Sequence, residues 1–412
     1  MKYKSMIWWL CILLVTGLFN GCSTTNAAGN SSGEQAGLKA VSAVKQNNAG
    51  GGNAIRVTAD RDIEKLYLHG SQLPDQTGLK IIKFNNGRFY GLGHGLSDDG
   101  CLSRSCFQFD FNRNFTESIN GSRCYYTDAK EFPAGSGIFY YVQADQDSEN
   151  ARFMRINYNT FHDEILLDTG NIAFDDVVSF CPGGQSVYYL DRRDNCIWQQ
   201  TFADGVKEKI CENPADASKV NEIYVCNRSV YIMLYDSCIK INMTDNTRSD
   251  AISGRILCRY EHEIYFLNTK NIICIYNIYT GETVETGVFS LYSRPFCAGK
   301  WTAILSNPSG TIYIWDTEQN RVVQQIKHDN IRHLAGAFEN GYFLYTVSTD
   351  MLGVIDVKNQ TDELIDVGGF LSVAGNPIDR WFIDENYLYA QDVCDQESGE
   401  LRGDEFYRLY LH

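Results

Sequence analysis

Carboxylates at short spacing are the first residues in this chain that could do chemistry. Asp145, Asp147 and Glu149 alternate along one stretch. Three alternating carboxylates offer several hard oxygen donors, the ligand set of Ca2+. The glycine and distal glutamate of an EF-hand loop are missing, so a solvated hairpin tip is the plainer reading. Asp392, Asp395, Glu397, Glu400, Asp404 and Glu405 crowd residues 392–405. A carboxylate pair there would serve glycoside hydrolysis at the right separation, which a sequence does not give. The alternative is a charged surface loop. A third cluster, His94, Asp98, Asp99 and Arg104, mixes hydrogen-bond donors and acceptors suited to holding a ligand. Nucleophile and phosphate motifs are lacking. Ala134-Gly135-Ser136-Gly137 is not a G-x-S-x-G elbow, and Gly91-Leu92-Gly93-His94-Gly95 has no helix after it to bind a dinucleotide. His328 and His333 read as ordinary surface residues.

The chain has 14 cysteines. No CxxC occurs and no Cys/His group has zinc spacing. Cys181, Cys226, Cys258 and Cys297 fall at one recurrent place, and Cys106, Cys196, Cys238 and Cys274 at another, where Thr311 and Gly353 also stand. A slot that accepts Cys, Thr or Gly asks for a small buried side chain, which a free thiol supplies. The best disulfide candidate is Cys101–Cys106, flanking one long loop. Apart from the Ca2+ candidate, no cofactor is expected.

These residues sit on a repeat. An apolar segment, a small turn and an apolar-Tyr strand recur as IKFNNGRFYGLG, FPAGSGIFYYVQ, SFCPGGQSVYYLD, YVCNRSVYIML, LCRYEHEIYFLN, FCAGKWTAILS, GAFENGYFLYTVS and WFIDENYLYAQD. The aligned residues are Tyr90, Tyr140, Tyr188, Tyr231, Tyr265, Ala303, Tyr345 and Tyr389. Their mean spacing, about 43 residues, is that of four-stranded propeller blades. A third strand (CIWQQTF, CIKINM, TIYIWDT), a turn such as Asp204-Gly205, Thr280-Gly281 or Asn359-Gln360, and a polar fourth strand complete most units. The last unit, ending EFYRLYLH, lacks a fourth strand, while strand-like pieces precede the first at Ile55-Arg56-Val57 and Lys65–Leu68. One all-β propeller of eight four-stranded blades is therefore expected over 55–412, closed by an N-terminal strand, with seven blades as the alternative. Loops 93–105, 143–151 and 392–405 lie in neighbouring units eight, one and two, so they would crowd one sector of the ring.

Lys2 and Lys4 precede an apolar run from Met6 to Phe19, then Asn20-Gly21-Cys22. The stretch is short for a membrane span and has the layout of an export signal. With cysteine after Gly21 it resembles a bacterial lipoprotein signal, which implies cleavage after residue 21 and lipidation of Cys22. Residues 22–54, without an aromatic and closing on Gly50-Gly51-Gly52, read as a flexible tether. In the repeats, VYYLDRRDNCIWQQTFADGVKEKI resembles the YWTD propellers, and TIYIWDTEQNRVVQQI and CIYNIYTGETVETG are similar to YVTN and quinoprotein-type repeats of exported bacterial proteins. That resemblance implies an extracytoplasmic propeller, often lipid-anchored, and carries no active-site residue across.

Charge narrows the function. Lys+Arg number 36 against 51 Asp+Glu, a formal −15, so a polyanionic nucleic acid would be repelled. The sequence points to a propeller anchored by lipid to the cell membrane or outer membrane, binding or scaffolding a protein, peptide or glycan. The rival is an enzyme that processes surface polysaccharide or peptide with loop carboxylates.

Overall fold

The structure is a computed structural model. It describes residues 46–47, 55–56, 63–67 and 77–411, except 86, 97–101, 111–114, 128, 134, 146–149, 292, 308, 329, 339, 375–377 and 393–404. The strands belong to the unit Ala43–His412. The signal, Cys22 and most of the tether lie outside the described residues.

Eight four-stranded antiparallel blades follow one another as the repeat requires. Blade 3 is typical: Val177–Pro182, Ser186–Asp191, Cys196–Thr201 and Lys207–Glu212 pair in sequence order. Blades 4 to 7 start at Glu222, Arg255, Phe296 and His333 and repeat this meander. Blades 1 and 2 share Phe115–Tyr126, which ends blade 1 and whose last three residues begin blade 2. Lys130–Glu131 continues that inner strand. The turns expected between third and fourth strands are present. Gly205, Gly281 and Gln360 have φ of 68°, 74° and 55°, the left-handed conformation that reverses a hairpin in few residues. A short helix, Gly368–Ala374, leads into blade 8 and buries Phe370 against Trp381 and Tyr407.

Closure is as expected in kind and more extensive in detail. Ile63–Tyr67 pairs antiparallel with Glu405–Tyr410 and supplies the missing outer strand of blade 8. Ile55–Arg56 does not join it. It lies parallel to the outer strand of blade 7, and Gln46–Asn47 parallel to that of blade 6. The N-terminal segment thus covers three successive outer edges, and ordered pairing begins within the stretch read as tether. Phe84 and Phe89 of blade 1 meet Phe382 and Tyr389 of blade 8 with ring centroids 5.1–5.5 Å apart.

The core between blades is built on the repeated aromatic, with a correction. At or next to the aligned position, the fully enclosed rings are Phe89, Tyr141, Tyr189, Tyr231, Tyr265, Tyr345 and Tyr389. In the first three units this is one residue beyond or before the position aligned by sequence, and neighbours along a strand face opposite ways. Tyrosine is used because its hydroxyl finds an acceptor inside. Tyr141 donates to Asp163 (2.7 Å), Tyr345 to Asp362 (2.8 Å) and Tyr389 to Asp384 (2.7 Å). His328 is corrected by the same network. It is an interior residue whose Nε2 lies 3.0 Å from Asp362 Oδ2, joining blade 6 to blade 7. Cys196, Cys238 and Cys274 are buried as small side chains, and no disulfide forms among the described residues.

Candidate functional site

The first strand of each blade is the innermost, and these strands surround a channel. In blades 1, 3, 5, 7 and 8 that strand carries a bulge, between Ile81 and Lys83, Val177 and Ser179, Ile256 and Cys258, Leu334 and Gly336, and Ile378 and Arg380. A bulge inserts one residue and re-aims the side chains after it. Here it breaks the apolar alternation where Lys83, Arg259 and Arg380 stand.

Two cavities meet at Arg259. The smaller, ≈ 190 Å³, is lined by Lys130, Glu131, Glu222, Arg259 and Glu261 among others, from blades 2 to 5. Its acids are engaged. Glu222 Oε1 accepts from Arg259 Nη2 (2.7 Å) and Nε (3.2 Å), and Lys130 Nζ stands 3.6 Å away. Lys130 also donates to the carbonyl of Phe180 at 2.6 Å, and the Arg259 guanidinium lies over the Tyr224 ring at 4.1 Å. Burial pulls the Lys130 ammonium below its ordinary pKa, only partly offset by Glu222. Burial would raise Glu222, but Arg259 and then Lys130 outweigh it and hold the carboxyl below the usual range. Glu131 pairs with Lys83 (2.9 Å) and accepts from the Gly137 amide (2.7 Å).

The larger cavity, ≈ 660 Å³, takes its walls from blades 1, 5, 6, 7 and 8. Arg259, Arg294 and Arg380 line it together with Tyr260, Phe296, Phe338, Trp381 and Phe382, and no Asp or Glu among the described residues does. Cys258 and Cys297 also face it. A protein of formal charge −15 has thus gathered three arginines on an aromatic wall, of which Arg259 is neutralised from behind by Glu222.

None of the ligand or metal candidates singled out by sequence that are described lines either cavity. His94 and Arg104 are cross-strand partners in blade 1, because its second and third strands run to Leu96 and from Leu102. The loop read as 93–105 therefore shrinks to 97–101, and Asp98 and Asp99 lie outside the described residues. Asp145 ends a strand opposite Cys124, and the strands resume at Asn150; Asp147 and Glu149 are outside. Asp392 ends a strand opposite Glu405 and Ile378, and Asp395 is outside. Residues 393–404 lie outside the described residues. Cys101 of the disulfide candidate is outside as well. Among the described residues no three His, Cys, Asp or Glu side chains come together to hold a metal, and no helix is long and apolar enough to cross a membrane.

The channel cations were missed because no motif links them. Their signal was present: Lys83, Arg259 and Arg380 each stand beside apolar or aromatic residues within a first strand, as IIKF, LCRY and RWF. Charge inside an inner strand is costly without a purpose or a partner.

No family model and no curated protein matches the chain. Among solved structures it is similar to the computationally designed Ika8 protein, at 11% identity and TM-score 0.48 over 87% of this chain and 100% of that one. It is also similar to BamB from Moraxella catarrhalis, at 10% identity and TM-score 0.43 over 85% and 99%. A further likeness is to TolB from Acinetobacter baumannii, at 14% identity and TM-score 0.35 over 60% and 67%. The propeller architecture itself rests on the strand pairing described above.

Proposed function

We propose that the domain is a binding module that draws an acidic, aromatic-bearing segment of a partner peptide or protein into the larger cavity. The observation that carries this reading is the lining, three arginines among five aromatic rings with no Asp or Glu among the described lining residues, and only Arg259 of the three bound to an acid behind the wall, Glu222. An arginine fork matches a carboxylate, and the pairing strengthens where water is partly excluded. The protein's overall negative charge disfavours long polyanions, which favours a short acidic segment over nucleic acid. Against an enzyme in the channel stands the state of its carboxylates. Glu222 is held ionised by two cations, the reverse of what a general acid needs.

We place the module outside the cytoplasm of a bacterial cell, held to the membrane by lipid on Cys22. The lipoprotein-like signal supports this. Cys22→Ala should shift the protein from the detergent-requiring membrane fraction to soluble or unprocessed material, and unchanged fractionation would remove the anchor.

A hexapeptide of alternating Asp and Phe, compared with its Asn–Phe counterpart, tests the cavity. The acidic peptide should bind and change the emission of Trp381, a change lost in Trp381→Phe. Arg380→Gln and Arg294→Gln should each weaken it about tenfold, the worth of one charge-assisted hydrogen bond. Equal binding of the two peptides, or binding indifferent to both arginines, would end this reading.

A further inference from the structure

Cys258 and Cys297 occupy the same recurrent place in the first strands of blades 5 and 6, and both face the larger cavity. The two side chains are neighbours across the boundary between the blades, since Cys258 Sγ reaches the main chain of blade 6 just ahead of Cys297. The surroundings hold the pair in register. Cys258 Sγ donates to the carbonyl of Pro295 at 3.8 Å, two residues before Cys297. Thr302 Oγ1 donates to Cys297 Sγ at 3.5 Å, and Thr302 is in turn fixed at 2.8 Å by the hydroxyl of the buried Tyr265. Neither cysteine is fully buried, in contrast to Cys196, Cys238 and Cys274. Cys181, at the matching place in blade 3, has no such partner. Its sulfur accepts the amide of Val225 at 3.4 Å.

We propose that Cys258 and Cys297 are a redox pair that closes to a disulfide tying blade 5 to blade 6 across the channel wall. The two sulfurs have different parts. The contact with Cys297 lowers the pKa of Cys258, burial opposes this, and the Arg294 guanidinium adds to the lowering. Cys297 is raised by the same contact and by burial. Cys258 is therefore the sulfur that attacks and Cys297 the one that resolves.

The oxidant is a disulfide, such as oxidised glutathione. The Cys258 thiolate bonds to one glutathione sulfur, the S–S bond breaks, and one glutathione thiolate leaves and takes up a proton. Cys297 then loses its proton and attacks the Cys258 sulfur of the mixed disulfide, expelling the second glutathione as thiol. Two electrons and two protons pass from the protein dithiol to glutathione disulfide.

The test uses the full chain in buffers set by the ratio of oxidised to reduced glutathione, with peptide mapping by mass spectrometry. The oxidised protein should yield a peptide linking Cys258 to Cys297, two hydrogens lighter than the separate peptides. Its melting temperature should rise by roughly 5 °C over the reduced protein, as expected for closing a loop of this length. Cys297→Ser should trap glutathione on Cys258, and Cys258→Ser should trap far less on Cys297. The proposal is overturned if no 258–297 link forms under fully oxidising glutathione while other thiols react. It is equally overturned if the two serine variants trap glutathione alike. Neither readout depends on peptide binding in the cavity, so this proposal and the binding reading can fail separately.

Discussion

Alanine at Glu222 is expected to lower stability by about 2–4 kcal/mol at pH 7, the cost of stripping the counter-charge from a partly buried ion group. Glu222 is the acid between Lys130 and Arg259, its side chain 25% exposed. Without it, two cations would face each other in a cavity of ≈ 190 Å³. Urea midpoints of the wild type, Glu222→Ala and Glu222→Ala/Arg259→Met measure the effect, and the double variant should recover part of the loss. The pH dependence has a definite sign. Because the Glu222 pKa is lower in the folded state, its contribution is complete above the unfolded value of about 4.3 and is lost as pH falls through the folded value. The wild type should therefore weaken in mild acid by an increment that Glu222→Ala lacks. A lowered Lys130 works in the same direction at the alkaline end. The folded state binds that proton less well than the unfolded chain does, so stability rises as pH climbs toward the ordinary lysine value. A Glu222→Ala protein with an unchanged urea midpoint would show that the three charges are solvated independently.

Valine at Gly353 should be at least as damaging, costing about 3 kcal/mol or more and lowering the melting temperature by roughly 10 °C. A Cβ at this position would lie 1.9 Å from Tyr345 Cζ and 2.2 Å from Cε1. The conflict is one of space. Gly353 pairs directly across the strand from Tyr345, whose ring is fully buried and covers the bare backbone. The ring cannot swing aside without releasing its hydroxyl from Asp362, which also holds His328. Gly353→Ala combined with Tyr345→Leu should be markedly more stable than Gly353→Ala alone. Equal stability of the two in thermal melts would mean that the strand yields and the ring does not.

These two positions show what the sequence made legible. Gly353 stood in a slot that accepts only small residues, so its constraint was readable, although the partner that imposes it was not. The blades were legible because strand, turn and strand recur at a nearly constant interval. The turns were legible because Asp-Gly and Thr-Gly pairs have local chemistry of their own. The enclosed ring was misplaced by one residue at Phe89, Tyr141 and Tyr189, since each of those strands has two or three consecutive aromatics and only pairing decides which faces inward. The channel was hidden for a related reason. The bulges that turn Arg259 and Arg380 into the cavity depend on a mismatch between two strands, and neither strand records it alone. Glu222 and Lys130 come together from blades 4 and 2, a neighbourhood set by curvature of the whole ring.

The N-terminal segment that runs along the outer edges of blades 8, 7 and 6 has a consequence for the order in which the protein is made. Its strands are synthesised first, yet their partners Arg321–Lys327, Thr361–Asp366 and Glu405–Tyr410 come last. Pairing of the most distant parts of a chain is slow, because the entropy of closing so large a loop is lost before any contact compensates it. While the chain grows, or threads through a membrane pore from its N-terminus, blades 1 to 5 can zip up one after another from local hairpins. The first strands meanwhile wait with unpaired backbone, and the nascent ring stays open at one seam. A partner with a strand edge of its own would find its opening then, and the finished ring would exclude it.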